Sequence, residues 1–125
     1  MSSPSIAVVG ASADRSKFGN KCVRAYLHRG YRVFPVNPRG GEIEGQPVYP
    51  SLEQLPAEPD RISLYLPPAA TRTLLPTLRH FAGAEVWFNP GTADPPLLEE
   101  ARSLGVDVRD GCSIVDVGLS PSQFP

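Results

Sequence analysis

Five short apolar runs, each ended by glycine, asparagine, aspartate or proline and separated by stretches with helical spacing, limit what this chain can become. Such alternation builds βαβ units, and parallel strands covered on both faces read as continuous apolar runs. The runs fall at residues 5–9, 32–36, 61–66, 85–88 and 107–109. A helix from about 20 to 29 gathers Cys22, Val23, Tyr26 and Leu27 in one sector and stops at Gly30. Ser51-Leu-Glu-Gln54 has the form of a capping box opening a short helix, with Pro56 and Pro59 marking its end. Pro67 and Pro68 stop the third strand. Thr71 or Thr73 then caps a helix with Pro76 in its first turn and Leu74, Leu75, Leu78 and Phe81 as its buried stripe. Asp94 caps a helix begun by Pro95 and Pro96, in which Leu97, Leu98, Ala101 and Leu104 face the core. The 15 prolines therefore lie mostly at element ends, where they punctuate rather than disorder.

Right-handed crossovers turn this order of elements into an α/β fold: an open, Rossmann-like, five-stranded parallel sheet with helices on both faces, one domain over residues 1–125. The expected strand order across the sheet is 3-2-1-4-5. Ligands of such sheets bind beyond the carboxyl ends of the strands. Here those ends carry Gly10-Ala-Ser12, Asn37-Pro-Arg39, Leu66-Pro-Pro68, Asn89-Pro-Gly91-Thr92 and Asp110-Gly-Cys112.

The first of these turns bears most directly on function. It joins a buried strand to a helix through small residues that let a phosphate approach the backbone, Ser12 adds a hydroxyl, and the helix start supplies unpaired amides. Lys17 and Lys21, the only lysines in the chain, fall where an anion would sit. The anion site is local, because 12 Lys and Arg against 13 Asp and Glu leave a net charge of −1 and no general basic field for nucleic acid or anionic lipid. No apolar stretch reaches the roughly 20 residues that span a bilayer, and the N-terminus lacks the basic and apolar regions of a signal peptide. A cytoplasmic protein is expected, and its two cysteines, Cys22 and Cys112, make neither a disulfide framework nor a metal-ligand set.

A dinucleotide is the obvious competing ligand. The G-x-G-x-x-G fingerprint is absent, with Ser12 in place of its second glycine, and Asn37 stands where NAD-binding chains carry the acid that holds the ribose hydroxyls. NAD is disfavoured on both counts. Arg39 suits a ribose phosphate, which keeps NADP open and admits coenzyme A with its 3′-phosphate.

Six stretches in order, Val8-Val-Gly-Ala-Ser12, Val33-Phe-Pro-Val-Asn-Pro38, Gly45-Gln-Pro-Val-Tyr-Pro-Ser51, Ser63-Leu-Tyr-Leu-Pro-Pro68, Val86-Trp-Phe-Asn-Pro-Gly91 and Asp110-Gly-Cys112, resemble the small stand-alone CoA-binding domain proteins. They are also similar to the CoA-binding domain that opens succinyl-CoA synthetase alpha subunits. The resemblance runs from Ile6 to about Val117. It implies that the phosphates of CoA lie on Gly10, Ala11 and Ser12 and the following helix start, with Arg15, Lys17 and Asn20 near them. It further implies that Asn37, Pro38 and Arg39 border the adenosine, and that Leu66, Pro67, Asn89 and Gly91 line the groove toward the pantetheine arm. The phosphorylated histidine of the synthetases belongs to a further domain, so the resemblance does not extend to ligase activity.

Candidate nucleophiles are few. Cys112 follows the fifth strand at the ligand edge, where a thiol is placed for exchange with the thiol or disulfide of CoA, whereas Cys22 reads as a core residue. Neither His28 nor His80 falls at a strand end, so Ser12 lacks a general base. The expected function is a non-catalytic module that binds CoA or acyl-CoA, alone, as a homo-oligomer or with a protein partner. The alternative is an NADP-linked or acyl-CoA enzyme that completes its site across an oligomer interface.

Overall fold

Residues 3–125 are described by a computed structural model, in which the first strand, β1 (Ser5–Val9), is buried at every position. There follow α1 (Phe18–His28), β2 (Arg32–Val36), the two-residue strands β3 (Glu42–Ile43) and β4 (Gln46–Pro47), and a 3-10 turn at Leu52–Gln54. The second half runs β5 (Arg61–Leu64), α2 (Pro68–Leu78), β6 (Glu85–Phe88), α3 (Pro95–Ser103), β7 (Asp107–Asp110), α4 (Ser113–Asp116) and a 3-10 turn at Pro121–Gln123. Because successive side chains on a strand point to opposite faces, Ile6 and Val8 pack with Cys22, Val23 and Tyr26 of α1 and Ile114 of α4. Ala7 and Val9 pack on the other face with Leu75 and Leu78 of α2 and Leu97 and Leu98 of α3. These two apolar layers are what the unbroken apolar runs encode. Among the described residues, no helix is long and apolar enough to cross a membrane.

The main sheet is parallel throughout, in the order β2-β1-β5-β6-β7. Counting only its five strands this is 2-1-3-4-5, so the expected 3-2-1-4-5 is corrected. The reason lies in the segment after β2, which occupies the place the third strand was assigned. Tyr49 donates its amide to Pro35 at 2.9 Å and accepts from the Asn37 amide at 3.0 Å, so the chain covers the outer edge of β2 itself. With that edge taken, β5 pairs on the free side of β1. The winding therefore reverses at β1, and its carboxyl end becomes the switch point of the sheet.

Local expectations hold unevenly. Asp94 caps α3 by accepting from the Leu97 amide at 3.0 Å, with Pro95 in the first turn. By contrast, α2 starts at Pro68, a residue with no amide proton to leave unpaired, and Pro76 lies inside the helix rather than in its first turn. Thr71 and Thr73 are not caps: their hydroxyls donate to the carbonyls of Pro67 and Ala69, one turn back. Ser51 makes no side-chain cap bond, and only a single 3-10 turn follows it. The capping box that does form joins Ser120 and Gln123, before the last 3-10 turn. α1 begins at Phe18, two residues earlier than expected.

Candidate functional site

The carboxyl end of β1 is built by backbone meeting backbone. Gly10 has a φ of 88°, and a Cβ there would stand 2.3 Å from the Tyr65 carbonyl oxygen. A Cβ on Gly19 would stand 2.3 Å from the Gly10 carbonyl oxygen. The start of α1 can therefore lie directly on the β1 turn, and this close approach is what the glycines of a dinucleotide fingerprint provide elsewhere. The spacing between Gly10 and Gly19 hides it from a motif search.

Between the two glycines the loop is a run of small turns. Ser12 Oγ accepts from the Asp14 amide at 3.0 Å, Asp14 Oδ1 accepts from Ser16 N at 3.0 Å and Ser16 Oγ at 2.7 Å, and the Lys17 amide donates to the Asp14 carbonyl. The two Ser16 bonds hold the Asp14 carboxyl below its usual range. The amides of Gly10 and Ala11, expected to face a phosphate, turn inward and donate to the Val36 carbonyl at 3.2 and 3.3 Å. Among the described residues, nothing accepts from the amides of Ser12, Ala13, Arg15, Phe18 and Gly19, and these are the donors the loop leaves free.

This loop borders a cleft of about 460 Å³ at the switch point. Its walls are Gly10, Ala11, Ser12, Lys17, Phe18 and Gly19 on one side, Asn37 at one end, and Tyr65, Leu66, Pro67, Pro90, Gly91 and Thr92 opposite. Eight of the residues expected from sequence thus meet in one cavity: Gly10, Ala11, Ser12, Lys17, Asn37, Leu66, Pro67 and Gly91. Among the described residues no carboxylate pairs with Lys17, whereas Lys21 lies over the Phe18 ring, 5.6 Å from its centre. Arg39 lines an adjoining cavity of about 300 Å³ that shares Ser12 and Asn37 with the main cleft, while Pro38 is exposed and lies outside the lining of both.

Four of the expected residues, Asn37 of the cleft wall among them, have their side chains engaged within the protein. Asn20 is buried; it donates to the Ser12 carbonyl at 2.9 Å and to Glu44 at 3.2 Å and accepts from Arg24 at 2.7 Å, bracing the loop from behind. Arg15 reaches out to the same Glu44 carboxylate at 3.3 Å. Asn37 donates to the Ala11 carbonyl at 2.8 Å and accepts from the Arg39 amide at 2.9 Å, so both halves of its amide serve the backbone. Asn89 is also buried: it donates to Ser63 Oγ at 2.8 Å and the Leu64 carbonyl at 2.9 Å and accepts from the Ser113 amide at 2.9 Å.

Sequence reasoning missed Phe18, Tyr65, Thr92 and Glu44. Thr92 clips the two rims together, donating to the Leu66 carbonyl at 2.6 Å and accepting from its amide at 3.1 Å. Glu44 has a φ of 48° at the β3–β4 hairpin tip, followed by Gly45 at 79°, and its carboxylate accepts from Arg15 of the loop and from Asn20 of α1. The Glu-Gly pair was the available signal.

Beneath the cleft Cys22 Sγ lies 3.7 Å from both Ser63 Oγ and Ser113 Oγ, which are 2.8 Å apart, and the Tyr26 hydroxyl donates to the Ser113 carbonyl at 2.7 Å. Burial pushes the Cys22 thiol above its ordinary 9.0 and the Tyr26 and Tyr65 hydroxyls above 10.0. All three stay protonated in the fold, whereas the unfolded chain releases their protons at the ordinary values. Their stabilisation is full below pH 9 and is lost as pH rises toward the raised folded values. The unfolding free energy from urea titration should hold to about pH 8.5 and then fall, by about 1.4 kcal/mol per pH unit from Cys22 alone. A Cys22→Ala variant should delay the fall to about pH 10, where the tyrosines take over.

Known proteins share the fold and part of the sequence. The alpha subunit of an ADP-forming acetate–CoA ligase II of Pyrococcus furiosus is 36% identical over 63 residues, a match that spans 50% of this chain and 14% of that protein. A structure from Thermus thermophilus superposes with a TM-score of 0.83 at 32% identity, covering 93% of this chain and 89% of that one. A conserved hypothetical protein of Pyrococcus furiosus gives 0.81 at 31% identity, covering 90% of this chain and 98% of that one. Residues 4–118 match the family described as a CoA binding domain, and with that span it is to this family that the chain belongs.

Proposed function

We propose that the chain binds coenzyme A or an acyl-CoA at the switch-point cleft as a non-catalytic module. The observation that carries this reading is the group of amides of Ser12, Ala13, Arg15, Phe18 and Gly19, unpartnered among the described residues, with Lys17 beside them at a cleft of about 460 Å³. The diphosphate lies on that loop, Arg39 takes the ribose phosphate in the adjoining cavity, and the pantetheine arm runs between Leu66-Pro67 and Pro90-Gly91. Asn37, with its amide already spent, is no substitute for the acid that holds NAD, which supports CoA over NAD. Among the described residues neither His28 nor His80 lines this cleft, so no imidazole base stands beside Ser12. The matched ligase subunit is about seven times as long as the aligned region, and a role as the CoA-holding part of a larger assembly follows the same reading.

Isothermal titration tests it. CoA should bind, NAD should not, and Lys17→Glu should weaken CoA roughly 10- to 100-fold, since a charged hydrogen bond contributes about 1.5–3 kcal/mol and a factor of ten is about 1.4. Absence of heat with CoA up to millimolar concentration overturns the proposal.

A further inference from the structure

Three cavities lie in line along the carboxyl edge of the sheet. The one at Arg39 shares Ser12 and Asn37 with the main cleft, and a third shares Phe18, Tyr65 and Pro90 with it at the opposite end. This third cavity, of about 200 Å³, is closed by Asn89, Cys112 and Pro121 and is the most enclosed of the three.

Its chemistry selects an apolar guest. The Asn89 amide makes three bonds to Ser63, Leu64 and Ser113, and among the described residues no buried side-chain nitrogen or oxygen lacks a partner. Among the described residues no charged side chain lines it. A polar guest would therefore surrender its water without replacement, whereas an alkyl group loses nothing. Phe18 adds an independent sign. It stands between the two cavities and is 58% exposed, one of only two large apolar side chains so exposed among the described residues. An apolar chain leaving the cleft at this end would cover it.

Resting on the reading of the main cleft as a CoA site, we infer that this side pocket is an acyl subsite, and that the preferred ligand is a short-chain acyl-CoA rather than CoA itself. With about 30 Å³ for each water-sized group, the pocket holds about six such groups, which fits an acyl chain of roughly four to six carbons. Cys112, at the N-cap of α4 and partly exposed, forms the far wall and sets the length limit.

Titration of the full chain with CoA, acetyl-CoA, butanoyl-CoA and decanoyl-CoA tests this. Each buried methylene should tighten binding about fourfold, so butanoyl-CoA should exceed acetyl-CoA by roughly 15-fold and decanoyl-CoA, too long for the pocket, should gain nothing more. Cys112→Trp should erase the preference and leave the Kd for CoA within about twofold. If that variant does not fold, the rate at which iodoacetamide alkylates Cys112 in the natural chain replaces it: butanoyl-CoA should slow the reaction at least tenfold more than CoA. CoA binding without any chain-length preference, or equal protection of Cys112 by CoA and butanoyl-CoA, overturns the acyl subsite and leaves the CoA site standing. No binding of any of the four overturns the CoA site itself.

Discussion

Gly10→Ala is expected to destabilise the protein by about 2–5 kcal/mol, roughly 1–2 from forcing a side chain into the left-handed region and 1–3 from driving a methyl into the Tyr65 carbonyl. The fall in Tm should be roughly 8–20 °C, with CoA binding lost because the β1 turn is pushed off Tyr65 at the opposite wall of the cleft. Two other glycines separate the contributions. Gly91 also has a φ of 88° but has nothing within 4 Å of an added Cβ, so Gly91→Ala should show only the conformational part. Gly19 has an ordinary helical backbone but would meet the Gly10 carbonyl at 2.3 Å, so Gly19→Ala should show the clash, less the half to one kcal/mol or so that alanine gains in a helix. Gly10→Ala combined with Gly19→Ala should depart from their sum, since one methyl presses the β1 turn against Tyr65 and the other presses α1 against the same turn. Equal Tm values for Gly10→Ala and Gly91→Ala would show that the seam is looser than described.

Asn89→Leu should cost about 3 kcal/mol or more while changing little of the protein's outer shape. The carboxamide joins β5 to the start of α4, and its loss takes the side-chain partner from the buried Ser113 amide and one donor each from the Leu64 carbonyl and the Ser63 hydroxyl, which keeps Ser113 Oγ at 2.8 Å. Asn89→Asp separates hydrogen bonding from packing. Its carboxylate would face the Leu64 carbonyl, so the folded state favours the protonated acid and the side chain's pKa is raised. Stability of that variant is then best below about pH 4 and falls as pH rises toward 7, opposite to the usual behaviour of a paired aspartate. A urea midpoint that follows the natural protein across this range would exclude the three-way role of Asn89.

The layers and strand positions were legible because burial on both faces writes itself directly as runs such as Ile6 to Val9 and Val33 to Val36. Strand order was not, because it depends on Tyr49 bonding to Pro35 and Asn37, a long-range choice that leaves no periodic trace. The strand ends brought eight of the expected residues to one cavity, yet the hydrogen-bonding work of the individual side chains was not legible. Asn20, Asn37 and Asn89 look like ligand contacts by type, but each spends its amide on the protein's own backbone and side chains. Conversely, Phe18 and Tyr65 look like core residues, and only the packing of α1 on the β1 turn brings them to the cavity wall. Gly19 was visible only as one glycine among several until its distance to Gly10 was known.

Every rung of the main sheet joins segments far apart along the chain, and the reversal at β1 means that neither half of the winding makes the crevice alone. Assembly must close β2 onto β1 from one direction and β5 onto it from the other before any wall faces another, a slow kind of search in which loop entropy is lost ahead of reward. Occupancy of the crevice therefore counts finished molecules: a partly assembled chain offers a ligand nothing to hold.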